Sequence, residues 1–233
     1  WIIWPILATA AWFSTIFGML MWWAVADKGR PYEGDQQTIL YVSDVGAEHD
    51  DLFIAGSVLT AVFYAVSLVL GRWLRHLRRL PGVLRKRERV AAILSIVLGI
   101  IGGFWLIMLS VFNNRDHSTA HWTFAALFLA FIALSALAQV FEVHWLSRSH
   151  PDRKHLHRNS IIKMVVIGLA YIGAALFIIC YIVGRGVWDS DNRPTGGASV
   201  IKSVAAVFEW TVAFVFDAYL ATFVLDLWPA HKT

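Results

Sequence analysis

RKRERVAAILSIVLGIIGGFWLIMLSVF, residues 85–112, decides the fold. Five charged residues are followed by an uncharged run over 90–112. As a helix that run is about 35 Å long at 1.5 Å per residue, enough to cross a ~30 Å hydrocarbon core. Five other stretches read the same way: 1–26, 52–74, 121–146, 161–184 and 203–228. The chain of 233 residues, 58% hydrophobic, is therefore expected to be all-α. We expect one transmembrane domain over 1–233, a polytopic bundle of six helices, with no soluble domain. The first stretch is too long for a signal peptide and has neither a basic flank nor a small-residue cleavage site.

Charge orients the bundle. Lysine and arginine collect on the cytoplasmic side of membrane proteins. Loop 72–89 carries Arg72, Arg75, Arg78, Arg79, Arg85, Lys86, Arg87 and Arg89 against one acid, Glu88. Loop 147–163 adds Arg148, Arg153, Lys154, Arg158 and Lys163, and Lys232 brings this side to 14 of the 20 cations. Ten of the 16 acids fall on the opposite side: Asp27, Glu33, Asp35, Asp44, Glu48, Asp50, Asp51, Asp116, Asp189 and Asp191. Both termini and the two basic loops are thus expected in the cytoplasm. The net charge of +4 is topology bias and not a nucleic-acid signal. Trp73, Trp145 and Trp228 at one set of helix ends, and Trp22, Trp23, Trp122 and Trp188 at the other, fit indole's preference for the headgroup level.

Three groups of residues carry candidate chemistry. On the acidic side, LYVSDVGAEHDD (40–51) leads into the second span and NNRDHSTAH (113–121) into the fourth. With Glu209 they bring Asp44, His49, Asp50, Asn113, Asn114, Asp116, His117 and His121 to one membrane face. His117 and His121 are four apart and, if helical, share a face. That is raw material for a metal or for acid–base hydrolysis, or simply for helix capping and headgroup contact. The signal has no flanking glutamate motif, so no catalytic residue, metal or cofactor is assigned. A single cysteine, Cys180, excludes a cysteine-rich zinc site.

The second group is the acids of the last span. Asp217 falls near mid-bilayer, where a charge costs ~2.5–3.5 kcal/mol, so it is expected to face the bundle interior. It either hydrogen-bonds a neighbouring hydroxyl or lines a watery cavity. Asp226 is expected to be solvated at the cytoplasmic end. The third group is the cationic loop 72–89, whose eight cations suit anionic phospholipid on the cytoplasmic leaflet at ~1 kcal/mol each. In the third span Gly99 and Gly103 stand at GxxxG spacing, which favours close helix packing inside the chain.

Three segments together resemble the FRAG/DRAM/SFK family. LYVSDVG (Leu40–Gly46) is similar to the family's PYISD-G motif. His121 in AHWTFAALF matches its histidine at the start of helix four. FEWTVAFVFDAYLATFVLDL (Phe208–Leu227) resembles its last helix. Carried over residue by residue, the pattern marks Tyr41, Ser43, Asp44, Gly46, His121, Glu209, Trp210 and Asp226. Leu40 departs from the family's proline, which is expected to loosen the turn there.

The resemblance implies an SFK-like or DRAM-like branch, fungal in origin, of six-helix membrane proteins. It implies a non-enzymatic regulator of lipid homeostasis, similar to plasma-membrane proteins that recruit or regulate phosphatidylinositol 4-kinase through a scaffold complex and influence lipid asymmetry. The alternatives are a lumenal or outer-leaflet lipid-modifying enzyme of the GPI-lipid-remodelling kind, and a DRAM-like autophagy modulator of the lysosome or vacuole. The basic loop favours the plasma membrane.

Overall fold

In a computed structural model the chain is described over residues 1–32, 37–83, 85–186 and 196–231. Glu33, Asp35, Trp188, Asp189, Asp191 and Lys232 of the charge and tryptophan patterns lie outside these. The described residues form seven α-helices and no strand: α1 (Ile3–Met21), α2 (Val42–Glu48), α3 (Asp50–His76), α4 (Lys86–Val111), α5 (Ser118–Ser149), α6 (Lys154–Gly186) and α7 (Gly196–Leu227). All but the short α2 are long and apolar enough to cross a membrane. A π-helical turn, Trp22–Ala26, prolongs α1.

The six long helices close into a ring. Each packs on the next in sequence, and α7 returns to α1. Aromatic side chains fill the middle: the Tyr64 ring stands edge-on to Phe216, Tyr219 and Phe223. The outside is apolar too, with Val62, Val97, Phe104, Leu134, Leu169, Ile172 and Ile182 all exposed. A belt of that extent is what a lipid-facing surface requires and a water-facing one avoids.

The GxxxG pair packs inside the chain, as expected. A β-carbon on Gly99 would stand 2.5 Å from Leu68, and one on Gly103 would stand 3.2 Å from Ala61, so α4 approaches α3 more closely than any larger residue allows.

The helices overrun their apolar stretches, most of all at the basic end. There α5 runs on to Ser149, and α6 starts at Lys154 instead of 161. At 32 residues α5 is about 48 Å long. Caps set the true ends. Arg78 adopts a left-handed φ of 58° after α3, and the amides of Arg79 and Leu80 fold back on the Leu74 carbonyl. At the start of α4 the Glu88 carboxylate accepts the Arg85 amide at 3.1 Å and the Ser149 hydroxyl at 2.5 Å, tying α4 to α5.

Candidate functional site

At the acidic end of the ring, residues 37–48 turn inward and cover the bundle. A short helix with an extended Tyr41 before it begins with free amides and no side-chain cap of its own. The missing acceptor comes from α7. Glu209 accepts the Val42 amide at 2.8 Å, together with the amide and hydroxyl of Ser43. A carboxylate at a helix N-terminus also meets the positive end of the peptide dipoles. The neighbouring Trp210 indole donates to the Leu40 carbonyl at 2.9 Å, and Leu40 is fully buried. The turn at Leu40 is therefore held from α7.

Asp44 is the second anchor. Its carboxylate accepts the side-chain amides of Gln37 at 2.8 Å and Asn114 at 3.0 Å. Burial raises its carboxyl above the usual range, against the opposing pull of those donors. Gly46 permits the close fit, because a β-carbon there would stand 2.7 Å from the Phe53 ring. Tyr41 packs edge-on against Phe177 and Tyr181, and burial pushes its phenol up.

Beneath this cover lies a cavity of about 400 Å³. Ser43, His121 and Glu209 line one part of it, and nearly all the rest is apolar. Alanines make the space: Ala125, Ala126, Ala133 and Ala136 of α5, Ala170 and Ala174 of α6, and Ala213 of α7. Among the lining residues Ala126, Tyr171 and Ile178 are exposed, which puts the mouth on the side of the ring between α5 and α6. Towards the acidic end Trp122 packs on Tyr181 with ring centres 3.9 Å apart, and stacks on Phe177. The volume is within the ~300–1,000 Å³ of small-molecule sites.

The expected acidic-side residues do not form one cluster. His121 turns inside, where its Nδ1 lies 2.8 Å from the Leu109 carbonyl and 3.0 Å from that of Phe112. His117 stays exposed, edge-on to Phe112. It precedes α5 with φ −134°, so the shared face that four-residue spacing promises is lost. Asn113 closes a local turn onto Asp116. His49 packs at a tilt against Trp22, with Nε2 3.7 Å from Asp27. Asp44, His121 and Glu209 are drawn together around α2 and the cavity, but no hydrogen bond joins any two of them. Asp217 is half-buried, with Oδ1 shut away from solvent and unpartnered. The neighbouring hydroxyl expected for Oδ1 is not supplied, and Asp217 lines neither this cavity nor the small pocket at the basic end.

The basic end holds what the sequence did not reveal. Arg75 is not part of an open cationic patch. It is buried, with Nε 3.1 Å from Glu142 of α5. Lys163 belongs to α6 and not to a loop, is fully buried, and lies 2.7 Å from Asp226. Asp226 is thus paired and not solvated, and Asn159 donates to it at 3.3 Å. The Lys163 ammonium also sits 4.0 Å over the Phe223 ring. Arg75, Glu142 and Asp226 border a polar void of about 20 Å³, room for one water. The available signal was a single charge inside each of two apolar runs, QVFEV and IIKMV. Of the cationic candidates, Arg78, Arg79, Arg85, Lys86, Arg87 and Arg89 are exposed and Arg72 is half-buried. Arg79 lies over Trp1 and Arg87 over Trp145.

No solved structure matches the chain. Protein sfk1 of Schizosaccharomyces pombe is 30% identical over 232 residues, a match covering 98% of this chain and 64% of that protein. The chain therefore spans somewhat less than two thirds of that relative's length. The family model for the Frag1/DRAM/Sfk1/Cwh43P N-terminal domain matches residues 1–230. An integral membrane ring whose YVSDVG segment is capped by the glutamate of EWTVAF, and which matches that model almost end to end, belongs to the Frag1/DRAM/Sfk1/Cwh43P N-terminal domain family.

Proposed function

We propose that this protein is a non-enzymatic integral membrane regulator of lipid homeostasis that holds a membrane lipid in its side-opening cavity. One observation carries the reading. An apolar chamber opens on the lipid-facing flank between α5 and α6, while α2 and an aromatic cluster cover it at the acidic end. A guest arriving from the bilayer keeps its tail out of water throughout, so entry costs no exposure of apolar surface. The acidic side chains argue against turnover. Glu209 and Asp44 are both engaged in holding residues 37–48, and neither bonds to His121. A general acid–base pair needs hydrogen-bond reach.

Filling the chamber tests this. Ala133→Phe and Ala170→Phe place rings in it from two helices. Each variant is expected to lose at least tenfold of the lipid that native mass spectrometry finds on the purified wild type. Lipid retained at the wild-type level by both would overturn the reading.

The basic end is read as the cytoplasmic face, docking anionic phospholipid and a phosphatidylinositol 4-kinase scaffold complex at the plasma membrane. Six exposed cations support it. Changing Arg78, Arg79, Arg85, Lys86 and Arg87 to glutamine is expected to weaken capture of phosphoinositide vesicles by more than tenfold. Each cation contributes ~1 kcal/mol, and 1.4 is a factor of ten. Equal capture at physiological salt would remove the electrostatic docking.

A further inference from the structure

We propose that the cavity selects an uncharged lipid bearing a hydroxyl group, and that this hydroxyl donates a hydrogen bond to Nε2 of His121. The inference rests on the lipid-holding reading above and names the chemistry of the guest.

The protonation of His121 follows from its neighbours. Carbonyl oxygens only accept, and two of them, Leu109 and Phe112, face Nδ1 at 2.8 and 3.0 Å. The proton therefore resides on Nδ1, and in the neutral ring Nε2 is a bare acceptor. The side chain is 3% exposed and lines the cavity, and among the described residues no donor reaches Nε2. Nε2 is open to the mostly apolar cavity, so a guest that supplies a donor gains a hydrogen bond that one without a donor cannot make.

The rest of the polar wall has the same sense. Glu209 is an acceptor already holding the amides of Val42 and Ser43, and the Ser43 hydroxyl points its proton at Glu209. What His121 and Glu209 offer a guest is acceptors. Among the described residues no lysine or arginine lines the cavity, so a phosphate headgroup finds no cationic partner here. The remaining surface, rich in alanine and aromatic rings, suits a hydrocarbon tail. Hydroxyl-terminated, uncharged and mostly hydrocarbon is the class these walls fit.

The test compares two photoactivatable probes on the purified full chain in nanodiscs. One is a diazirine-bearing long-chain alcohol and the other its methyl ether, which has the same tail and no donor. The alcohol is expected to label peptides 121–136 and 167–181 about tenfold more than the ether. Excess monoacylglycerol should compete, and excess phosphatidylcholine should not. In His121→Asn the side-chain NH2 takes the place of Nδ1–H and still donates to the two carbonyls, while its acceptor Oδ1 stops short of the position that Nε2 occupies. Its alcohol labelling is expected to fall to the ether's level, with ether labelling unchanged. Equal labelling by the two probes on the wild type overturns the hydroxyl assignment while leaving a lipid chamber in place. So does an alcohol preference that survives in His121→Asn. Failure of both probes to label either peptide overturns the lipid-holding reading itself, and the hydroxyl assignment falls with it.

Discussion

Lys163→Met is expected to destabilise the protein by about 3–5 kcal/mol, the usual cost of breaking a buried ion pair from one side. The ammonium is fully buried, 2.7 Å from Asp226. Methionine fills similar space but leaves Asp226 with only the Asn159 amide at 3.3 Å. The loss comes from the stranded carboxylate more than from the missing attraction. The double change Lys163→Met, Asp226→Leu should therefore recover most of it, because an apolar pair of similar volume is often as stable as a buried ion pair. Thermal unfolding of wild type, single and double variants in one detergent checks this. A double variant no more stable than the single would show that the loss comes from the missing attraction and not from the stranded carboxylate.

Glu209→Ala is expected to release α2 while leaving the ring intact. Val42 and Ser43 would lose their acceptor, and an unsatisfied buried amide costs ~1–3 kcal/mol. Hydrogen exchange at the amides of residues 42–45 should quicken at least tenfold, since 1.4 kcal/mol is a factor of ten. Exchange within α4, which Glu209 does not touch, should stay as it was. Glu209→Gln keeps one acceptor oxygen and should fall between the two. Unchanged exchange at 42–45 in the alanine variant would mean that the Trp210–Leu40 bond and the Asp44 contacts hold the segment unaided.

The spans were legible because hydrocarbon imposes a length and tolerates no charge, and both are written in a single strand of sequence. The helix ends were not, because a helix continues into water for as long as its caps allow. Reading α6 from 161 left Lys163 beside a boundary, although it stands ten residues into a helix that begins at Lys154. Which cations pair with which acids depends on how helices rotate in the ring, and spacing along one helix does not encode that. The acidic-end residues were legible as a set, since topology alone brings 40–51, 113–121 and Glu209 to one face. Their roles were not. That Glu209 caps a helix 167 residues away is a fact of tertiary placement. The chamber was the least visible element, because its alanines are scattered over three helices and look like ordinary helix formers in each.

Closure of the ring by α7 against α1 bears on how the chain is made. The Trp12 indole of the first helix donates to the Ala213 carbonyl of the last, at 2.9 Å and 201 residues away. Until residues 196–227 have left the ribosome and entered the bilayer, that indole, the amides of α2 and the ammonium of Lys163 all lack their counterparts. The last helix to be made is therefore the one that completes the circle, and these three bonds can form only after it is in place.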